Sequence, residues 1–176
     1  MKETVKTLIP QDEVEKRIKQ MAEEISRDYE GKSIHLVGIL KGSIFFMCAL
    51  AKNMTIPVTM DFMSVSSYGS GTRSTGVVKL IKDLDEPIEG RDVLVVEDII
   101  DSGHTLHYLM KNLSSRNPAS ISLCTLLDKP DRREVEVDVA YRGFTIPDEF
   151  VIGYGLDYDQ RYRNLPFVGV MSLGEE

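Results

Sequence analysis

An α/β fold with a mostly parallel sheet flanked by helices is what this chain of 176 residues predicts. Three observations carry that expectation. Apolar runs of strand length alternate with segments of helical periodicity, the arrangement that lays strands side by side in one direction. Several runs, such as SIHLVGIL (33–40) and DVLVVED (92–98), are apolar at consecutive positions, as strands covered on both faces are. The length suits a single domain spanning 1–176 with a real core, and no internal repeat divides it.

The elements follow in order. Residues 11 to 29 predict a helix: Val14, Ile18, Met21 and Ile25 share one face, and Pro10 and Asp12 suit its start. The run 33–40 predicts a buried strand, followed by KGS and an apolar helix beginning near Ser43. VTMDFMSV (58–65) predicts a second strand. SSYGSGTRSTG (66–76) predicts either a linker or a lid, and the lid is favoured because neither flank has a complete core of its own. VVKLIKD (77–83) resumes a strand and DEPIEG (85–90) reads as a turn. After the buried strand 92–98, Leu106, Leu109, Met110 and Leu113 predict a helix from about His104 to Ser115. ASISLCTLL (119–127) is another buried strand. EVEVDVAY (134–141) alternates as a half-exposed strand does, and FVIGYGL (150–156) and FVGVMSL (167–173) complete the set.

A net charge of -7 argues against a general nucleic-acid partner but leaves room for a local anion site. The first residues, MKETVKTLIP, contain no apolar signal core, and the longest apolar run, Ile44 to Ala51, is too short to cross a bilayer. A cytoplasmic location is expected, with no membrane partner. Cys48 and Cys124 stand in apolar surroundings, without metal-ligand spacing to another Cys or His, and predict two buried free thiols.

The chemistry concentrates in VVEDIIDSGHT (95–105). A buried strand ends on two carboxylates, Glu97 and Asp98, and Asp101 follows. Ser102, Gly103, His104 and Thr105 then enter a helix whose first amides have no intrahelical partner. With the helix dipole behind them, those amides form a cradle for a phosphate monoester. A simpler reading has Asp101 or Ser102 as a helix cap, but that leaves two carboxylates ending a buried strand unexplained. A sugar phosphate reconciles them. The phosphate sits on the amides of 102–105, while Glu97 and Asp98 accept from the 2- and 3-hydroxyls or meet a hard cation. Positive charge developing on the sugar is stabilised by the same carboxylates.

VLVVEDIIDSGHT (93–105) resembles, without a gap, the signature of the phosphoribosyltransferases. The rest of the chain, from LVGILKGS to LPFVGV, is similar to their 6-oxopurine branch, the hypoxanthine-guanine phosphoribosyltransferases. The resemblance implies the type I phosphoribosyltransferase fold, with a core over about 30–150 and a small hood from about 1–15 and 145–176. It implies transfer of a phosphoribosyl group from 5-phosphoribosyl 1-pyrophosphate to N9 of hypoxanthine or guanine, releasing pyrophosphate, with Mg2+ as cofactor and a homodimer or homotetramer as assembly. Asp101 then handles a purine proton, most simply at N7. His104 presents its backbone inside the phosphate loop, and His35 and His107 are structural or solvent-facing.

Further roles are implied the same way. Lys129, otherwise an ordinary lysine at a turn, donates to the oxygen at C6 and so selects against adenine. Phe150 stacks on the base, Val151 meets the purine edge through its backbone, and Asp157, counted with the purine residues, holds a magnesium ion bound also to pyrophosphate. Arg163 lies near pyrophosphate. LKGS (40–43) resembles the pyrophosphate loop, with a cis peptide at Leu40-Lys41 and Gly42 following; the alternative is a plain tight turn capped by Ser43. Ser67 and Tyr68 match the lid, here 64–78, whose closure excludes water from a reactive sugar cation. Glu97 and Asp98 complete the metal neighbourhood.

Three rivals are weighed. An RNA-binding regulator on the same fold needs basic surface residues, and the charge of -7 disfavours it. A second rival is an enzyme of the same class acting on another base such as xanthine, adenine or uracil; xanthine stays open, because the C2 edge is read by backbone groups. A kinase or dehydrogenase needs GxxxxGK[ST] or GxGxxG after a strand, and the chain has neither.

Overall fold

The structure is a computed structural model, described over residues 2–67 and 78–174. Its elements are β1 (Lys2–Ile9), α1 (Gln11–Asp28), β2 (Ile34–Leu40), α2 (Ile44–Asn53), β3 (Val58–Ser67), β4 (Val78–Lys82), β5 (Asp92–Ile100), α3 (His104–Ser114), β6 (Ser120–Asp128), β7 (Tyr141–Thr145), β8 (Val151–Ile152) and β9 (Val168–Gly174). A single 3-10 turn, Pro130–Arg132, follows β6.

Six strands form the main sheet in the order β4-β3-β2-β5-β6-β7. All its pairings are parallel except β3 with β4. The apolar runs of β2, β5 and β6 are buried because both faces are covered. On one face α1 and α2 bury Val14, Ile18, Met21, Phe46, Met47 and Leu50 with Leu36 and Leu94 of the sheet. On the other, α3 buries Leu106, Leu109 and Leu113 against Val37, Val95 and Leu123. Alternate side chains of one strand thus feed opposite cores. A second sheet, β1-β9-β8, joins the two ends of the chain, with Lys2 opposite Gly174 in the antiparallel ladder.

β2 and β5 are the adjacent strands at which the order of the sheet reverses. β2 continues through α2 to β3 on one side, and β5 continues through α3 to β6 on the other. In open α/β sheets, the crevice outside the carboxyl ends of such strands is where ligands bind.

Three expectations need correction. Residues 134 to 140 are not a strand. Val137 and Val139 do point inward, packing on the α3-side core, which explains the alternation. But the Glu134 and Val135 amides donate to Ser102 O, at 2.9 and 3.1 Å, instead of joining a ladder. Pairing with β6 begins only at Tyr141, opposite Cys124. The run 150–156 is a strand only over Val151–Ile152, because Gly153 and Tyr154 both turn into positive φ. Cys48 is exposed on the outer face of α2, whereas Cys124 is buried. β1, in turn, has no counterpart among the expected elements.

Candidate active site

Three segments converge at the carboxyl edge of β2 and β5. The first is the turn after β2. The Leu40-Lys41 peptide is cis. Gly42 packs directly on the side chain of Asp98, so closely that a Cβ there would fall inside the carboxylate. Ser43 precedes α2 but makes no side-chain cap; its hydroxyl donates back to Ile39 O at 2.7 Å.

The second segment is the end of β5 and its turn into α3. Glu97 is buried, and its carboxylate accepts from the Asp98 amide at 3.0 Å. The Asp98 carboxylate accepts from the Ile99 amide at 2.8 Å. Burial pushes both carboxyls above the usual carboxylate range, Glu97 the further, and the Asp98 charge adds to the rise at Glu97. Two such groups side by side have a standing need for a donor or a cation. Gly103 opens α3 with φ 89°, and a Cβ there would come within 2.5 Å of Val135 O. Neither Asp101 nor Ser102 caps the helix. The first intrahelical bond is His107 N to Gly103 O, 2.9 Å, which leaves the amides before it open. Glu97, Asp101, Ser102, Gly103 and Thr105 line a cavity of about 200 Å3 in front of them. His104 turns its ring outward, with Nε2 2.8 Å from Glu134.

Lys129, buried just past β6, brings Nζ to 3.6 Å from Asp101 Oδ1, and its amide donates to Ile100 O at 3.0 Å. Beside it, the buried Asp128 binds Arg133 and accepts from Arg142 Nε at 2.6 Å. Arg133 Nε also donates to Asp101 O at 3.1 Å, so this cation braces the turn from below. Arg133 is not among the site residues that the sequence marks. Its sequence signal is only a second arginine in PDRR, and its partner Asp128 becomes visible only in the fold.

The third segment runs from Gly153 to Arg163. Gly155, at φ 100°, lies so close to Gly42 O that any side chain would collide with it. Arg163 donates to Gly155 O at 2.7 Å and stands 3.2 Å from Asp157 Oδ1. Asp157 Oδ2 accepts from the Gln160 amide at 2.9 Å. Phe150 is 52% exposed, free to offer a face, and it meets Tyr158 edge-on at 5.8 Å. Val151 is buried and paired with Val170 of β9. Glu3 of β1 accepts from Tyr162 and from Arg161, the latter at 2.6 Å, latching the segment to the second sheet. Ser67 ends β3 in the backbone. Tyr68 and most of the expected lid lie outside the described residues.

A strand edge carrying buried carboxylates, next to open helix amides and a lysine-aspartate pair, has the make-up of a sugar-phosphate site. The phosphoribosyl transferase domain model matches residues 5–159, and the chain belongs to that family. Within the family its similarity is to the hypoxanthine enzymes. It is 53% identical over 178 residues to hypoxanthine phosphoribosyltransferase of Salmonella typhimurium, with all of both chains covered. It is 49% identical to hypoxanthine-guanine phosphoribosyltransferase of Mycobacterium bovis, covering 94% of this chain and 85% of that one. Among solved structures, a hypoxanthine-guanine phosphoribosyltransferase of Bacillus anthracis superposes with TM-score 0.92 at 45% identity, covering 98% of this chain and all of that one.

Proposed function

We propose that the chain transfers the 5-phosphoribosyl group from 5-phosphoribosyl 1-pyrophosphate to N9 of hypoxanthine or guanine, giving IMP or GMP and pyrophosphate. The observation that carries this reading is the pairing of Lys129 with Asp101 at 3.6 Å, directly beside the open amides of 102–105. Base recognition and phosphate recognition thus lie side by side, with Lys129 reaching from the end of β6 to the turn after β5.

The proposed roles are those the resemblance implies, and the geometry supports them. Amides and hydroxyls of Ser102, Gly103, His104 and Thr105 hold the 5-phosphate. Glu97 and Asp98 accept from the ribose hydroxyls, which add donors to the single backbone amide each carboxyl already has. Leu40, Lys41 and Gly42 hold pyrophosphate with Arg163, and Ser67 and Tyr68 keep the lid role that the resemblance implies. Phe150 stacks on the purine and Val151 lines its edge. Lys129 donates to O6, which an adenine amino group cannot accept. The C1–oxygen bond to pyrophosphate breaks as N9 bonds to C1, and Asp101 takes the purine proton.

The donor set fits a magnesium ion shared with substrate. No cluster of three or more His, Cys, Asp or Glu gathers among the described residues. Magnesium characteristically takes one or two carboxylates and completes its shell with phosphate oxygens and water. Asp157, with Glu97 and Asp98 near the diol, would hold it there. Bound, it would neutralise charge on the departing pyrophosphate.

The molecule is read as one cytoplasmic domain, with β1, β8 and β9 as a hood over the core. A homodimer or homotetramer is the assembly proposed. The functional test is a panel of bases with phosphoribosyl pyrophosphate and magnesium. Hypoxanthine and guanine should yield nucleotide, and adenine and uracil should not. Turnover of uracil or adenine in place of the oxopurines would overturn the assignment.

A further inference from the structure

Gln160 stands where the segments proposed to bind pyrophosphate meet. Its side-chain oxygen is 3.2 Å from Lys41 Nζ and 3.2 Å from Arg163 NH2. Two cations on segments far apart in sequence are thus drawn onto one acceptor. Arg163 is a neighbour three residues on in the same loop, whereas Lys41, after β2, is brought there by the fold. Like charges held this close repel; Asp157 Oδ1, 3.2 Å from Arg163 NH2, offsets one of them, and the Gln160 oxygen accepts from both.

The backbone underlines the point. Asp159 and Gln160 are both left-handed, with φ 50° and 63°. Glycine or asparagine takes that conformation more easily than glutamine. Asp157 Oδ2 secures the conformation by accepting from the Gln160 amide at 2.9 Å. The chain holds a long amide side chain at an unfavourable backbone position, and its oxygen ends between Lys41 and Arg163.

We propose that Gln160 is a positioning residue whose carbonyl oxygen stands in for a pyrophosphate oxygen, keeping Lys41 and Arg163 converged until substrate displaces it. The inference rests on the pyrophosphate assignment above. The neutrality of the amide is essential to it. A neutral acceptor gathers the cations yet yields to a phosphate oxygen, which makes stronger, charge-assisted bonds to them. A carboxylate at the same place would form ion pairs and compete with the ligand. Pre-assembly of this kind lowers the cost of ordering side chains on binding.

Titration calorimetry of magnesium pyrophosphate into the full chain tests it, beside Gln160→Ala and Gln160→Glu, with Michaelis constants for both substrates. Gln160→Ala should weaken pyrophosphate roughly 3- to 10-fold through lost convergence. Gln160→Glu should weaken it by about 10-fold or more, the deficit shrinking as salt screens the new ion pairs. The Michaelis constant for phosphoribosyl pyrophosphate should rise in step, while that for hypoxanthine holds. Unchanged or tighter pyrophosphate binding in Gln160→Ala overturns the proposal. So does an equal loss for hypoxanthine, which would report a general structural role. Absence of pyrophosphate binding in the unsubstituted chain would instead remove the functional reading, and this inference with it.

Discussion

In the proposed function Asp101 and Lys129 divide the chemistry of the base between them, and single substitutions separate their parts. Asp101 is half exposed, so replacing it leaves the core untouched. Asp101→Asn should lower turnover by about 100- to 10,000-fold while Michaelis constants change little, as steady-state kinetics would show. Lys129→Gln exchanges a pure donor for an amide that can also accept. The preference for hypoxanthine over adenine, measured as the ratio of kcat/KM values, should fall roughly 100-fold. His35 makes a prediction about stability instead. It is buried, with Nδ1 2.7 Å from Thr59 Oγ1, and Nε2 has no partner among the described residues. Burial holds its pKa below the usual value, the Arg91 charge adds to that, and Asp61 opposes it. The folded state therefore binds fewer protons than the unfolded one. Stability is full above about pH 6.5 and is lost as pH falls below it. The Tm of the unsubstituted chain should drop more between pH 7 and pH 5 than that of His35→Gln.

The elements that carry the site differ in how legible they were. β2, β5 and β6 announced themselves by continuous apolar runs, because burial on both faces leaves no polar alternation to confuse the reading. The turn at 101–105 was legible for another reason: carboxylates, glycine and hydroxyls stand next to one another in sequence. The loop 153–163 was only partly so. Asp157 and Arg163 were picked out, but Gln160 acts through Lys41, 119 residues away, and nothing local marks it. The stretch 134–141 misled because alternation reports which side chains are buried, not which amides join a ladder. Glu134 and Val135 spend theirs on Ser102 O. Gly155 shows how tightly these segments fit. Gly155→Ala must place a Cβ against Gly42 O at φ 100°. It should destabilise the fold by about 2 kcal/mol or more in denaturant titration, and it should weaken pyrophosphate binding as the turn at 40–43 shifts.

At the scale of the whole molecule, the parallel sheet sets the phosphate turn, the carboxylates and the lysine at one edge, and the smaller sheet brings the two chain ends together beside them. That second sheet was the least legible feature. KETVKTLI has only weak alternation, because β1 is mostly exposed and draws its order from pairing with β9. Its partner lies some 165 residues later, too far for any local pattern to signal. The division of labour at the main edge is the claim on which the functional account stands. A crystal structure with IMP and magnesium tests it most directly. The account predicts phosphate oxygens within about 2.7–3.2 Å of the amides of 103–105, the ribose hydroxyls on Glu97 and Asp98, and O6 on Lys129. A nucleotide bound with its phosphate elsewhere, and with those carboxylates turned away from the sugar, would contradict it.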